Sequence, residues 1–169
     1  MQHFVVGIDP SLTQTGLAIC PLDWGGDWSL VKLASFPTTP FGKSPSDRMR
    51  RCAHVVDQVT NTVRVHGPVD AKYAFFIEDY AFARANRAHH IGELGGEFRR
   101  RIGIEMEVGI GAARKRLLGK CPKEGAKVRV YEALVAAGGT FANLDEAEAM
   151  CICNYGLGEL GGFNFQVAA

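Results

Sequence analysis

Long apolar runs are missing from this chain. Nothing in its 169 residues approaches the ~18 consecutive apolar residues of a membrane span, and no basic-then-apolar leader opens it. The expectation is a protein of the cytoplasm with no membrane partner. Also missing is any C-x-x-C pair. The five cysteines, Cys20, Cys52, Cys121, Cys151 and Cys153, are an odd number, and a helix would turn Cys151 and Cys153 to different faces. That argues against a zinc site and a disulfide framework, and leaves reduced, mostly core thiols. Net charge is nearly absent at +1, and no internal repeat is present. A hydrophobic share of 47% against 22% charged residues excludes global disorder. The length suits one domain, expected over residues 1–157, with a glycine-rich tail over 158–169.

The small net charge conceals an uneven distribution. From Arg84 to Arg129 there are twelve Lys and Arg residues against five acids, whereas the remaining segments carry seven basic and thirteen acidic residues. One third of the chain can therefore face phosphates, or be a solvated basic face, while acids gather elsewhere.

The organising stretch is Val5 to Ile19. An apolar strand delivers Asp9 at its end, a polar turn of Pro, Ser, Thr and Gly follows, and a second apolar run returns as a hairpin. Asp is a poor strand residue and costly to enclose, so it either starts the turn or serves as a metal ligand or catalytic acid on a rigid strand. Lys72 to Asp79 repeats the theme, apolar at nearly every position and ending in Glu78 and Asp79. Such a strand reads as central, buried on both faces and parallel to the first. Asp9 and Glu78 would then emerge at one sheet edge, where open α/β sheets place their sites, and this favours the site reading of Asp9.

Strands are expected over 3–9, 15–22, 28–36, 72–79 and 104–110. Helices are expected from Ser46 or Asp47 to about His66, over 86–102, over 123–137 and from about Asp145 to Tyr155, with 111–120 a basic loop or short helix. Gly92, Gly95 and Gly96 interrupt the second helix, each at up to ~1 kcal/mol, and mark either tight packing on the sheet or close approach of another backbone, a subunit or DNA. Three antiparallel strands opening a mixed five-stranded sheet, with parallel strands after them and helices on both faces, describe a ribonuclease H-like α/β fold.

The last helix opens Leu144-Asp145-Glu146-Ala147-Glu148. Asp145 can cap this helix, with Glu148 completing a capping-box-like pattern, or the two can lie on one face and share an ion. Together, Asp9, Glu78, Asp145 and Glu148 would repel one another unless divalent cations were present. An all-oxygen set favours Mg²⁺ or Mn²⁺ over Zn²⁺, and two such ions would support in-line phosphodiester hydrolysis.

Residues 6–16 (Val-Gly-Ile-Asp-Pro-Ser-Leu-Thr-Gln-Thr-Gly), 76–82 (Phe-Ile-Glu-Asp-Tyr-Ala-Phe) and 145–149 (Asp-Glu-Ala-Glu-Ala) resemble, in order and spacing, the three acidic motifs of RuvC-type Holliday junction resolvases. The resemblance spans about residues 3 to 156. It implies a homodimeric crossover junction endodeoxyribonuclease that binds four-way DNA junctions and nicks two opposed strands symmetrically, with two Mg²⁺ or Mn²⁺ ions per active site. Asp9 would bridge the ions, Glu78 would hold one, and Asp145 with Glu148 the other. Bacterial members usually carry Asp where Glu148 stands and commonly Gln at Asp79, and Tyr80 and Phe82 flank the family's stacking aromatic position. These departures are more like the phage or viral branch, less selective among branched substrates, in a bacterial or phage-infected host cell.

The resemblance also assigns phosphate binding to the basic residues after the fifth strand: Arg114, Lys115, Arg116, Lys120, Lys123 and Lys127. Such contacts give strong salt dependence and little base reading. Tyr80 and Phe82 could stack on unpaired bases at ~1–3 kcal/mol each, with core packing the other reading of Phe82. His89 and His90 fit phosphate contact or solvent better than a His89–Glu93 ligand pair. The alternative function is a branched-DNA-binding architectural protein without turnover. An actin-like ATPase, suggested by Gly7-Ile8-Asp9 and the hairpin, would need a second lobe for which 169 residues leave no room.

Overall fold

In the computed structural model, residues 1–79 and 85–166 are described, residues 85–91 by their backbone alone. β1 (His3–Asp9) is the middle strand of a five-stranded sheet with the order β3-β2-β1-β4-β5. It pairs antiparallel with β2 (Gln14–Pro21), which pairs antiparallel with β3 (Lys32–Pro37). On its other side β1 pairs parallel with β4 (Lys72–Glu78), and β4 with the short β5 (Met106–Val108). This is the mixed, ribonuclease H-like arrangement expected from the order of apolar runs.

The two-residue period of a strand sorts β1 cleanly. Phe4, Val6 and Ile8 join Leu17, Ile19 and Ile77 on one face, under Cys52, Val55, Val56, Val59 and Val63 of α1 (Pro45–His66) and Leu94 and Phe98 of α2 (Ala85–Ile102). Each fully buried aliphatic side chain there contributes roughly 1.5–3 kcal/mol. Ser44 starts α1 by a reciprocal capping box with Asp47, and Pro45 supplies a preformed first residue. On the opposite face, Val5, Ala18, Cys20 and Phe76 meet α5 (Leu144–Glu159), on which α3 (Ile110–Leu118) and α4 (Ala126–Ala136) pack. Gly7 and Asp9 follow Val5 onto this second face, and Glu78 follows Phe76.

The second face is closed by direct backbone contact. A Cβ on Gly7 would lie 2.5 Å from the Cys153 nitrogen and closer still to the Ala149 carbonyl oxygen, and one on Gly16 would lie 2.5 Å from the Asp145 carbonyl carbon. The missing side chains let α5 settle onto the β1–β2 hairpin. Its first turn thereby comes to the strand end that carries Asp9, which pairs with Gly16.

Several elements differ from the sequence expectation, each for a local reason. Residues 28–30 form a 3-10 turn capped by Asp27, and β3 begins only at Lys32. The Trp28 indole is drawn out of strand geometry by a hydrogen bond to the Ala137 carbonyl (2.7 Å) and by edge contacts with Trp24, Phe141 and Phe165. Gly103, at φ +64°, precedes β5, and α3 follows at Ile110, which shortens the expected strand at both ends. The basic segment after it is the helix α3 rather than a loop, and Gly125, at φ +60°, delays α4 to Ala126. β4 is only half-buried at Tyr73, Ala74 and Phe75. α5 runs on to Glu159, past the boundary expected after residue 157, and Phe163 and Phe165 beyond it pack on Trp24 while Asn154 exchanges two 3.0 Å hydrogen bonds with the Phe165 backbone. Among the described residues no helix is long and apolar enough to cross a membrane.

Gly7→Ala should cost about 3 kcal/mol, because the new methyl meets helix backbone that cannot rotate away. Urea unfolding checks this, and an unchanged midpoint would show that α5 does not rest on Gly7.

Candidate active site

The carboxyl ends of β1 and β4 place Asp9 and Glu78 side by side, one residue beyond the last register pair, Ile8 with Ile77. Asp9 is only 3% exposed. Asp145 enters from the first turn of α5 and Glu148 from the second, on the same face of the sheet.

Asp145 does not cap its helix. The cap is Asn143, whose Oδ1 accepts from the backbone nitrogens of Asp145 and Glu146, both at 3.0 Å. Glu146, three residues after the cap, accepts from the Ala142 backbone nitrogen (2.8 Å) and the Ser35 hydroxyl (3.1 Å), and Asn143 donates to the same hydroxyl (2.8 Å). This ring ties the start of α5 to β3 and frees the Asp145 carboxylate. An Asn-x-x-Glu capping signal was present in the sequence at 143–146, two residues before the cap expected at Asp145.

Two of the basic residues expected on phosphates lie among the acids instead. The Lys127 ammonium donates to Asp9 Oδ2 (2.7 Å) and Asp145 Oδ1 (2.8 Å). Arg114 donates from Nε and Nη2 to Glu148 Oε1 (3.2 Å) and Oε2 (2.6 Å), a bidentate pair whose carboxylate is fully buried. Arg116 is engaged elsewhere, bonded to the Tyr155 carbonyl (2.7 Å) and Glu159 (2.5 Å) with its guanidinium 4.0 Å above the Tyr155 ring. Lys115, Lys120 and Lys123 are exposed, with no ion pair among the described residues. Tyr80 and Phe82 lie outside the described residues, as do the side chains of His89 and His90.

Crowding shifts the protonation of these groups. Burial, then the neighbouring Asp9 charge and a hydrogen bond to Asp9, push Glu78 up to about 8, so at neutral pH it holds a proton. Burial also raises Glu148, against the pull of Arg114. For Lys127, burial opposes the charged form, but Asp9 and Asp145 outweigh it and raise the group.

As the side chains stand, no three His, Cys, Asp or Glu residues among those described are disposed to share a metal ion. The donor chemistry nevertheless fits a hard divalent cation: the acids offer only carboxylate oxygens, and the Lys127 ammonium marks a point that oxygens of Asp9 and Asp145 already approach together. Asp9, Glu78 and Asp145 would be the groups to hold it.

Sheet order and helix placement define a ribonuclease H-like α/β fold. No family model and no curated protein sequence matches the chain. Among solved structures, it is similar to T. thermophilus RuvC in complex with a Holliday junction substrate, with a TM-score of 0.64 at 20% identity over 94% of this chain and 96% of that one. A second structure of Thermus thermophilus RuvC gives 0.61 at 22% identity, over 94% and 97% of the two chains. The fold is thus that of RuvC along almost its whole length.

Because Glu78 is raised from 4.5 in the unfolded chain to about 8, native protein retains a proton that unfolded chain releases across that window. Stability without added metal should therefore fall as pH rises from 4.5 to 8. Glu78→Gln should flatten this slope and raise Tm by roughly 5 °C at the upper end. Thermal melts across the window test it, and parallel slopes for variant and wild type would contradict it.

Proposed function

We propose that this protein is a divalent-metal-dependent endonuclease acting on branched DNA, and that its substrate is the four-way junction. The observation that carries the reading is the convergence of Asp9, Glu78 and Asp145, from three separate segments, at the carboxyl ends of the central strands of a RuvC-like fold. Similarity to a RuvC structure bound to a Holliday junction substrate supports the choice of DNA.

A divalent ion, Mg²⁺ or Mn²⁺, would supply positive charge to the scissile phosphate and lower the pKa of an attacking water. The chain's own residues do the rest. Asp9 and Asp145 would hold the ion, with Glu78 of β4 as a further carboxylate ligand. The strand ends of β1 and β4 and the capped first turn of α5 keep these groups in place before substrate arrives. A two-ion arrangement would also need Glu148, whose oxygens both face Arg114. Exposed Lys115, Lys120 and Lys123 contact phosphates, with Tyr80 and Phe82 proposed to stack on bases opened at the branch point.

Symmetric nicking of two opposed strands calls for a two-fold dimer. Among the described residues, nothing fills the space where a side chain on Gly92 or Gly96 of α2 would stand, which supports that helix as the contact surface. The second reading, a branched-DNA-binding protein without turnover, is favoured by one observation: Lys127 and Arg114 already neutralise the acids from within.

An immobile four-way junction, each strand labelled in turn, separates the readings. Wild type with Mg²⁺ or Mn²⁺ should give paired, ligatable nicks, and Asp9→Asn should lose ~10³-fold in rate while still binding the junction. Binding without nicking in either metal would establish the architectural reading, and equal cutting of flaps, three-way and four-way junctions would place the protein with the less selective phage-like enzymes. The combined Lys115→Ala, Lys120→Ala and Lys123→Ala variant should reduce the slope of log affinity against log salt by about 2–3, measured by junction binding.

A further inference from the structure

The acid cluster contains two cations of its own, and they are held very differently. Lys127 reaches Asp9 and Asp145 with a side chain that is 40% exposed, from the first turn of α4 directly after Gly125. A long, flexible ammonium at such a position can return to water once another cation takes its place beside the buried Asp9 carboxylate. Arg114 is 16% exposed and sits in mid-α3 beside buried Ala113 and Leu117, with its planar fork matched to both oxygens of a Glu148 that has no exposure at all. Opening that pair would strand a buried carboxylate, which is strongly unfavourable. One cation is therefore exchangeable and the other is built in.

We propose that the site takes a single divalent cation per chain, at the place now held by the Lys127 ammonium, and that Arg114 withholds Glu148 from coordination. The inference rests on the reading of Asp9, Glu78 and Asp145 as metal ligands. Ion entry displaces Lys127 toward solvent, where its ammonium becomes available to a DNA phosphate. Glu148 acts as the counter-charge that positions Arg114 at the edge of the cluster, and Arg114 sets the number of ions. No covalent step is involved: one cation replaces another between the same carboxylates.

The test is Mn²⁺ binding to the full chain without DNA, followed by electron paramagnetic resonance of free Mn²⁺ and by calorimetry. Wild type should bind one Mn²⁺ per chain. Lys127→Met should keep that number and bind roughly threefold tighter or more, since no ammonium competes for the site. Asp145→Asn should bind at least ~10-fold more weakly. Because Glu148→Gln alone leaves Arg114 buried without its partner, the double variant Arg114→Met with Glu148→Met is the decisive one, its folding checked by circular dichroism. It should bind one ion with affinity within about twofold of wild type. Arg114→Met alone should expose Glu148 as a ligand and raise the number toward two. Two ions in wild type, with one lost in the double variant, would overturn the proposal. One ion bound but no junction nicked in any metal would support it while defeating the nuclease reading, so the two can fail separately.

Discussion

The structure depends on the absence of side chains at two points of a hairpin. Gly7 and Gly16 let the backbone of α5 lie against β1 and β2 with nothing between them. The site is a by-product of that contact: Asp9 pairs across the hairpin with Gly16, and Gly16 faces the Asp145 peptide. Bulk on either glycine would lift α5 and separate the two carboxylates by the thickness of a side chain. The Ser35, Asn143 and Glu146 ring fixes the remaining freedom, since it ties the end of the helix to the edge strand.

The electrostatics follow from how closely this contact draws the acids together. Four carboxylates in a partly buried cleft cannot all carry charge without compensation. The chain resolves this in three ways at once: Glu78 takes up a proton, Glu148 receives a guanidinium and Asp9 and Asp145 share an ammonium. The last arrangement relies on a cation that is 40% exposed, whereas the Glu148 carboxylate and its guanidinium are closed in. The basic surplus of residues 84–129 thus divides between internal counter-charges, Lys127 and Arg114, and exposed side chains such as Lys115, Lys120 and Lys123, so a nearly neutral protein still presents local positive charge to solvent.

The parts of the fold legible in the sequence were those governed by short-range patterns. Apolar runs ending in an acid located β1 and β4, and their parallel pairing put Asp9 and Glu78 at one sheet edge. The apolar spacing of 49–63 located α1. Features set by contacts between distant segments were not legible. The turn at Trp28 depends on Ala137 and Phe165, and the positions of Lys127 and Arg114 depend on how α3 and α4 pack on α5. Lys and Arg in a basic run look alike whether they face solvent or a buried carboxylate. The cap of α5 was readable but misplaced, because Asp145 and Glu148 offered the same spacing as Asn143 and Glu146.

The parallel pairing of β1 with β4 has a consequence for the life of the chain. Neighbouring strands in this register are distant in sequence, so Asp9 meets Glu78 only after α1 has crossed the sheet, and Asp145 joins them only when α5 closes on the hairpin. No single hairpin or helix carries the constellation. A chain still emerging from the ribosome, or locally unfolded, holds scattered carboxylates and no site. Any chemistry of the cluster is thereby conditional on complete folding, a safeguard that a protein with all its acids on one hairpin would not possess.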